Sequence, residues 1–427
     1  MKLLGISSPF TGSGKTTVTL TIGKLLNDSA IFKIGPDFID TGLARNMTGY
    51  AENIDRYLQG REYKKILCEA STKYKYGILE GVMGLYDSGL NFDNSTYYYF
   101  KKLRVPHIIV VDVSRMAESA YRIFKGFKNE FTIGVILNNY YGEKHLNMVK
   151  KEFLKRNIDI FGEIPHLDTI KINERHLGLY TFMEEKNLIE KIKIVEKYLN
   201  KKLLLEKLSS FNEFKCNSDL EIKRRNVNIS IAMDLAFNFY YQYNINLLSS
   251  IGNVRFFSPL KNEEVENSQF IYLGGGYPEL YKNELSKSYK TKESILKHYE
   301  NGATIYGECG GLMYMMEKIE DKNMLGIFEG KVIENKGLTL NYTELLPKNK
   351  FFIFNKDERI YGHEFHYSSI ETDEKLFLSV LRGKGINGED GFSKNRAFGM
   401  YTHIHFFKYR NNIEKYINKI YKADIIK

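Results

Sequence analysis

The chain has 427 residues, enough for two domains that each bury a core of their own. Hydrophobic residues make up 43% and charged residues 27%, a composition that excludes an intrinsically disordered protein. The net charge of +10 is spread along the chain rather than gathered in one basic segment, so no nucleic-acid partner is expected. A polyanionic small substrate would suit a basic cleft.

The three cysteines, Cys68, Cys216 and Cys309, are widely spaced and form no C-x-x-C pair. Neither a disulfide framework nor a zinc site is therefore predicted, and a reducing cytoplasm fits best. The longest apolar run, around residues 108–113, is too short to span a bilayer, so no membrane association is expected. We expect no cleavable signal before the glycine-rich loop near the N-terminus.

Apolar segments alternate with helical patterns over residues 1–200. The segments are KLLGISS, AIFKIGP, YGILEG, HIIVVDVS, TIGVILNN and IDIFGEIP. Near-continuous apolar runs separated by helices are typical of a parallel sheet that is covered on both faces. We therefore predict a doubly wound α/β domain over residues 1–200, followed by a lysine-rich linker over residues 201–227.

The segment SSPFTGSGKTT follows the first predicted strand and ends like a nucleotide phosphate-binding loop, although Pro9 stands where the usual pattern has its first glycine. Its glycines let backbone N–H groups turn toward phosphate oxygens, Lys15 supplies a cation, and Thr16 can bind Mg²⁺. Strand, loop and helix in this order favour an ATP site over a chance glycine-rich turn. The predicted ATP-binding residues of the loop are Gly12, Ser13, Gly14, Lys15, Thr16 and Thr17.

Acidic residues follow two of the predicted strands. Asp37 and Asp40 lie in GPDFIDTG, and Glu80 ends the strand of ILEGVMGLYDS. Open α/β sheets bind ligands at the carboxyl ends of their strands, so we expect one of these carboxylates to join Thr16 on Mg²⁺. Carboxylates that merely cap turns are commoner, but three of them beside a phosphate loop favour the metal.

A second α/β series fills residues 228–427. Its predicted strands are NISIAMD, VRFFSPL, QFIYLGGG, ATIYGE, GHEFHYSSIET and RAFGMYTHIHFF, and NNIEKYINKIYKA predicts a closing amphipathic helix. The fold class is thus α/β, with two doubly wound domains.

Cys309 lies directly after the strand ATIY, and Gly307 and Gly311 flank it. Glycines at these places allow a sharp strand-to-helix turn that projects a nucleophile, and the helix N-terminus is expected to lower the pKa of the thiol. His403 and His405 in YTHIHFF supply candidate bases, and strand alternation would put both on one face.

The turn LGGGYPE is predicted to supply N–H groups to an oxyanion hole beside the cysteine. The predicted oxyanion and substrate-pocket residues are Gly274, Gly275, Gly276 and Gly310. A further pair, His363 and His366 in GHEFHYS, is at least as well explained by structural roles.

Twelve stretches in fixed order resemble the cobyrinate a,c-diamide synthase family, in which a dethiobiotin-synthetase-like domain precedes a class I glutamine amidotransferase-like domain. They are FTGSGKTT, KIGPDFID, NIDRYL, LEGVMGLYD, GVILN, RHLGL, AFNFYY, FSPL, LGGGYPE, ECGGLMY, GHEFHYS and YTHIHF. The resemblance implies a P-loop NTPase-like parallel sheet in the N-terminal domain and an amidotransferase-like sheet in the C-terminal one.

The resemblance also implies roles for single residues. Cys309 would be the glutaminase nucleophile and His403 its base. Many class I amidotransferases carry Glu two residues after that His; here the place holds His405, so the third member is His405 or the pair acts as a dyad. ATP would bind with its adenine near Asn138, Mg²⁺ near Thr16, Asp37 and Glu80, and the substrate side would include Asp40, Arg175 and His176.

In such an enzyme ATP converts a carboxylate to an acyl phosphate, and ammonia released from L-glutamine captures it after moving within the protein. The implied substrate is a tetrapyrrole-derived polycarboxylate macrocycle. Cobyrinate is the first choice, nickel-sirohydrochlorin is the alternative, and the motifs do not separate them. Two other functions are considered. A partition-type ATPase would need no cysteine elbow, and an inactive amidotransferase relative would show no glutaminase activity. The sequence leaves open whether the protein forms a homodimer.

Overall fold

A computed structural model of the chain describes residues 1–167, 174–175, 178–179, 187–216 and 222–425. The chain divides into two compact units, Met1–Arg56 with Gly60–Asp219, and Tyr57–Gln59 with Leu220–Lys427. The division after Asp219 falls inside the segment 201–227, whose assignment as a linker stays a prediction.

The first unit has a seven-stranded parallel sheet with helices between its strands, and its last two strands form a separate antiparallel pair. Its strands are β1 (Lys2–Ser7), β2 (Ser29–Ile34), β3 (Ala51–Ile54), β4 (Tyr76–Glu80), β5 (His107–Asp112), β6 (Thr132–Tyr140), β7 (Ile160–Pro165), β8 (Glu174–Arg175) and β9 (Gly178–Leu179). The helices of this part of the chain are α1 (Lys15–Leu26), α2 (Phe38–Thr48), α3 (Arg56–Gln59), α4 (Lys64–Ser71), α5 (Thr96–Leu103), α6 (Ser119–Phe127), α7 (Gly142–Leu154), α8 (Leu188–Glu196) and α9 (Lys201–Ser209). In α3, only Arg56 belongs to the first unit; the other three residues cluster with the second unit.

Seven strands pair in the order β3-β2-β4-β1-β5-β6-β7, every pair parallel. Residues of β2 and β5 are almost all buried, as expected for strands covered on both faces. The parallel sheet of the first domain is therefore confirmed. The strands β2, β4 and β1 are neighbours, so the segments that follow them meet at one edge of the sheet. The short β3 was not predicted, because its four residues include Glu52 and Asn53 and carry no apolar run.

The second unit contains two sheets. Its strands are β10 (Asn228–Ala232), β11 (Asn253–Phe257), β12 (Phe270–Leu273), β13 (Thr304–Glu308), β14 (Met316–Ile319), β15 (Lys322–Asn323), β16 (Phe328–Pro347), β17 (Ile360–Glu371), β18 (Leu378–Arg382), β19 (Glu389–Asp390), β20 (Phe392–Lys394), β21 (Ala397–Met400) and β22 (His403–Ile404). Its helices are α10 (Gln242–Ile251), α11 (Lys282–Ser286), α12 (Tyr289–Glu300), α13 (Gly310–Met315) and α14 (Arg410–Ile425).

One sheet has the order β11-β10-β12-β13-β21-β20 and is parallel except for the last pair. The strands β12, β13 and β21 are adjacent, so the glycine turn after β12 meets the cysteine after β13. The second sheet is largely antiparallel and centres on β16, which pairs with β17 and β18. Sequence analysis did not predict β16, because a strand with a solvated face shows polar alternation rather than an apolar run.

Cys68 of α4 and Cys216 form a disulfide, with their Cα atoms 5.4 Å apart. The expectation of no disulfide was wrong. The two cysteines are 148 residues apart in sequence, and only the folding of the first unit brings them together. In the described part of the chain, no helix combines the length and apolar character needed to cross a membrane.

Candidate active sites

The loop between β1 and α1 has the geometry of a phosphate loop. Gly12 and Gly14 both have positive φ angles, 83° and 93°, which favour glycine and turn successive N–H groups to one side. Gly14 is the N-cap of α1, and Lys15 begins the helix. Phosphate oxygens would therefore meet loop N–H groups and a helix N-terminus together.

The segment that follows β4 packs against the backbone of the phosphate loop at Ser8 and Pro9. A Cβ on Gly84 would lie 2.4 Å from the Pro9 carbonyl oxygen, so only glycine permits this approach. The Leu85 N–H donates to the Ser8 carbonyl at 2.9 Å. The Lys15 ammonium donates to Ser8 Oγ at 2.9 Å and to the Met83 carbonyl at 2.8 Å. The segment after β4 thus braces the variant loop.

A buried lysine lies at the centre of the carboxylates beside the loop. Lys33 Nζ donates to Asp40 Oδ2 at 2.5 Å and to Glu80 Oε1 at 2.7 Å. Thr16 Oγ1 donates to Glu80 Oε1 at 2.7 Å and lies 3.1 Å from Asp40 Oδ2. The sequence signal for Lys33 was a charged residue in the otherwise apolar, fully buried strand β2, and sequence analysis missed it.

The two aspartates of GPDFIDTG lie at the start of α2. Asp37 is the N-cap of α2, and its Oδ1 accepts from the Asp40 N–H at 2.8 Å. Asp40, assigned from sequence to the substrate side, lies in the first turn of the helix and contacts Thr16. Capping orients the Asp37 carboxylate along the helix, which leaves Asp40 as the neighbour of Thr16 and Glu80.

Charge and burial shift the pKa values of this cluster. Burial lowers the pKa of Lys15 to about 8, helped by the nearby Lys33. Burial opposes the charge on Lys33, but Asp40 and Glu80 outweigh it and raise the pKa of the ammonium. Burial raises the pKa of Glu80, with Lys33 acting against it. Burial, followed by the neighbouring Asp40, raises the pKa of Asp37 to about 7.

The oxygens around Thr16 suit a magnesium ion. They come from a hydroxyl and two carboxylates, the hard donors that Mg²⁺ prefers. Asp40 Oδ1 is buried and has no hydrogen-bond partner in the described structure, so an acceptor is left over at this place. The described residues include no group of three or more His, Cys, Asp or Glu that could hold a metal by themselves, so phosphate oxygens or water would have to complete the coordination.

Asn138, in β6, contacts the phosphate loop. Its Nδ2 donates to the Ser13 carbonyl at 2.9 Å and lies 2.3 Å from where a Cβ on Gly14 would stand. Asn138 therefore holds the loop in place, and its expected position near adenine stays a prediction. His176 lies outside the described residues, and only the backbone of Arg175 is described, in β8.

The second site centres on the turn after β13. Cys309 has φ 48° and ψ −105° and is the N-cap of α13, which agrees with the predicted strand-to-helix elbow. A Cβ on Gly311 would lie 1.9 Å from the Leu273 carbonyl oxygen, so the flanking glycine is required for packing against β12. The Cys309 N–H donates to the Met400 carbonyl at 2.8 Å, and Sγ contacts the Phe365 carbonyl at 3.4 Å.

The expectation that the helix N-terminus lowers the thiol pKa was wrong. Burial raises the pKa of Cys309 well above its ordinary value, and the neighbouring Glu279 adds to the effect. The Gly310 N–H favours the thiolate but is outweighed. The resting cysteine is therefore a thiol, and a base has to remove its proton when substrate is attacked.

Two of the four predicted oxyanion glycines already use their N–H groups. The Gly274 N–H donates to the Tyr240 hydroxyl at 2.8 Å, and the Gly275 N–H donates to the Phe239 carbonyl at 3.2 Å. Gly276 and Gly310 lie together, since a Cβ on Gly310 would be 3.1 Å from Gly276 N. These two glycines are the better candidates for an oxyanion hole.

His403 lies on β22 against the glycine turn and the end of β13. A Cβ on Gly275 would be 2.2 Å from His403 Cε1, and His403 Nδ1 is 3.7 Å from Glu308 Oε2. The predicted sharing of one strand face by His403 and His405 was wrong, because β22 ends at Ile404. His405 Nε2 is instead 2.9 Å from Gln59 Nε2, within the second unit.

His363 and His366 are buried side chains of β17. His363 Nδ1 lies 2.8 Å from the Tyr241 hydroxyl, and its ring stacks on His403 with centroids 5.0 Å apart. Burial lowers the pKa of His363 well below its ordinary value, so it is neutral. His366 Nδ1 donates to the Ser368 carbonyl at 2.8 Å.

A buried carboxyl beside the elbow makes stability depend on pH. Burial raises the pKa of Glu279 from 4.5 to about 7, and its Oε2 has no hydrogen-bond partner in the described structure. Because the folded pKa is raised, folding is not penalised below about pH 4.5, and the penalty grows to about 3 kcal/mol as pH rises through 7.

Glu279→Gln should therefore reduce the fall in unfolding free energy between about pH 5 and pH 8, by up to about 3 kcal/mol. Denaturant unfolding at both pH values measures the difference. The exposed Glu300→Gln is the matched control and should leave the fall unchanged. A fall of the same size in Glu279→Gln and wild type would contradict the shifted pKa.

Comparison with known proteins decides the family. The nucleotide-binding domain model of the CobQ/CobB/MinD/ParA type matches residues 4–179, and the CobB/CobQ-like glutamine amidotransferase domain model matches residues 228–411. A cobyrinate a,c-diamide synthase from Saccharolobus solfataricus is 37% identical over 97% of this chain and 100% of its own length. The chain belongs to the cobyrinate a,c-diamide synthase family.

Further synthases of this name match over similar lengths. The one from Clostridium acetobutylicum is 36% identical over 95% of this chain and 98% of its own, and the one from Caldanaerobacter subterraneus is 33% identical over 97% of both. As a member of the cobyrinate a,c-diamide synthase family, the chain is a glutamine-hydrolysing ligase with a nucleotide-binding domain and an amidotransferase domain. The predicted two-domain α/β fold is confirmed.

Proposed function

We propose that this member of the family amidates the a and c acetate carboxylates of cobyrinate, with ATP and glutamine as co-substrates and acyl phosphates as intermediates. The observation that carries the proposal is the similarity to named cobyrinate a,c-diamide synthases along nearly the whole chain. The phosphate loop and the cysteine elbow supply the two chemistries that such a reaction needs.

The first site activates the carboxylate. Thr16, Asp40 and Glu80 would hold Mg²⁺, which lowers the cost of the charge that develops on the transferred phosphoryl group. The loop N–H groups orient the phosphates, and the Lys15 ammonium neutralises their charge. The substrate carboxylate attacks the γ-phosphorus, the bond to the β-phosphate oxygen breaks, and ADP leaves. Activation is required because a free carboxylate has no usable leaving group.

The second site releases ammonia. His403 takes the proton of the Cys309 thiol while sulfur attacks the side-chain amide carbon of glutamine. The developing oxyanion would accept hydrogen bonds from Gly276 and Gly310. The C–N bond then breaks as His403 returns the proton to nitrogen, which leaves ammonia and a thioester. Water hydrolyses the thioester to glutamate and restores the thiol.

Ammonia completes the synthesis. It attacks the acyl carbon, the bond to the phosphate oxygen breaks, and the amide and inorganic phosphate form. The cycle runs once for each acetate. We place this reaction in the cytoplasm, where ATP and glutamine are both available.

The test incubates the full chain with ATP, Mg²⁺, glutamine and one macrocycle, followed by mass spectrometry. Each conversion of a carboxylate to an amide lowers the mass by about one unit, so cobyrinate should lose about two. Nickel-sirohydrochlorin is incubated in parallel. Amidation of that macrocycle alone would move the enzyme to the other substrate, and no change in either would contradict the proposal.

A further inference from the structure

The base of the cysteine site lacks the usual carboxylate in sequence. A base that shuttles a proton is normally oriented by a third group, which also stabilises the imidazolium that forms. Two residues after His403 the chain has His405 rather than an acidic residue. If Cys309 and His403 act together with a third residue, a group other than the usual carboxylate has to orient His403.

His405 is poorly placed and poorly charged for the task. Its Nε2 lies against the Gln59 amide, and its Nδ1 accepts from the Phe407 N–H at 3.3 Å. Burial lowers the pKa of His405 to about 3, so the ring is neutral at physiological pH. A neutral imidazole whose nitrogens face these groups supplies no negative charge to His403.

Glu308, the residue before the nucleophile, has the required position. Its side chain is 1% exposed, and its Oε2 is 3.7 Å from His403 Nδ1. This separation is longer than a hydrogen bond, as is common for catalytic pairs before substrate binds. Glu308 Oε1 also lies 3.3 Å from the N–H of Ile404, the neighbour of His403 in β22. The carboxylate therefore contacts both the ring of the base and the backbone that carries it.

Two buried tyrosines hold the Glu308 carboxylate in place. The Tyr306 hydroxyl donates to Oε1 at 2.6 Å, and the Tyr272 hydroxyl donates to Oε2 at 2.8 Å. Burial raises the pKa of both hydroxyls well above their ordinary values, so both stay protonated and act as donors. With the Ile404 N–H, three donors therefore fix the orientation of the Glu308 carboxylate.

We infer that Glu308 is the positioning carboxylate of the glutaminase, orienting His403 through Nδ1 and stabilising its imidazolium. The third member of the triad thus precedes the nucleophile instead of following the base. Neighbouring residues at the end of a strand can both face one site. Their side chains would normally project to opposite sides of the strand, but the turn that begins at the second residue changes the direction of its side chain. The inference rests on the glutaminase half of the proposed function.

The test measures glutamine hydrolysis by the full chain with ATP, Mg²⁺ and macrocycle present, over a range of pH. Glu308→Gln should lower kcat by about 10²- to 10⁴-fold with little change in KM, because an amide neither fixes the tautomer nor balances the imidazolium. Removing the negative charge beside the imidazolium disfavours that ion, so the acidic limb of the pH profile should move to lower pH. Synthesis from added ammonium should be unchanged, which shows that the variant folds.

The groups that face this pair are few enough to keep the pH profile interpretable. His363 of β17 stacks on the His403 ring, and Tyr272 and Tyr306 contact Glu308. The charges of Glu279, Glu308 and Asp390 act on Cys309, with Glu279 having the largest effect of the three. All of them except Glu308 itself are unchanged in Glu308→Gln. Glu308→Asp, which keeps the charge but withdraws it by one methylene, should recover part of kcat and part of the shift.

Several outcomes would overturn the assignment. Glu308→Gln with near wild-type kcat, or with an unmoved acidic limb, would remove Glu308 from the triad. A limb that moves in His405→Asn but not in Glu308→Gln would give the role to His405. If Glu308→Gln does not fold, Glu308→Asp with an unchanged profile would be equally decisive against it. A wild-type chain that releases no ammonia would contradict the proposed function itself, and the inference would fall with it.

Discussion

Cys309→Ala should abolish amidation supported by glutamine and leave amidation supported by a high concentration of ammonium. The thiol is the only nucleophile that the elbow presents, and alanine leaves the turn and the glycine loop undisturbed. Removing the nucleophile should lower the rate of glutamine hydrolysis by several orders of magnitude, about 10⁶-fold. The phosphate loop is untouched, so ATP-dependent activation of the carboxylate should continue.

The measurement compares amide formation with glutamine and with ammonium in the same preparation. The ammonium arm is run at alkaline pH, where more of the ammonia is unprotonated and nucleophilic. Cys309→Ser is the matched control: it keeps a hydroxyl in the place of the thiol and should lose glutamine use almost as fully. Loss of both activities in Cys309→Ala would contradict the division of labour between the two sites.

Lys33→Met should destabilise the first unit by about 3–5 kcal/mol and stop amidation from either nitrogen source. Lys33 is the cation between Asp40 and Glu80, and all three side chains are almost fully buried. Without it two carboxylates face each other in a medium that disfavours charge. Thr16 contacts both carboxylates, so their repulsion would also disturb its position. Denaturant unfolding and amide formation measure the two effects.

A double variant shows whether Lys33→Met loses stability through uncompensated charge or through lost packing of the side chain. Lys33→Met combined with Glu80→Gln removes one of the two uncompensated charges and should recover a good part of the lost stability, though not the activity. Mg²⁺ should raise the Tm of Lys33→Met more than that of wild type, because the cation then takes the place of the ammonium. The exposed Lys125→Met serves as the surface control. Equal stability of Lys33→Met and wild type would contradict the buried-cluster account.

Local signals predicted most of the first unit and both loops. Six apolar segments became parallel strands, and the order of strand, glycine loop and helix around Lys15 identified the phosphate loop. The glycines around Cys309 predicted its elbow in the same way. Such features are readable because they depend on residues within about a dozen positions of one another, whose backbone requirements are local.

Assignments that depended on side-chain environment were less successful. The thiol of Cys309 was expected to ionise easily, yet its burial has the larger effect. Asp37 at the metal stays a prediction, while the contact of Asp40 with Thr16 was not expected from the sequence. Neither burial nor the direction of a short side chain can be obtained from spacing alone, because both depend on elements distant in sequence.

By itself, the sequence determined the family, the α/β class and the two reactive segments, since these depend on backbone geometry and residue order. Only the tertiary structure decided which charges meet. Lys33 reaches Glu80 because β2 and β4 are neighbours, and Glu308 reaches His403 because β13, β21 and β22 bring the two together. Cys68 meets Cys216 across 148 residues for the same reason. Electrostatic pairing and covalent pairing require proximity in space, which the order of residues does not record.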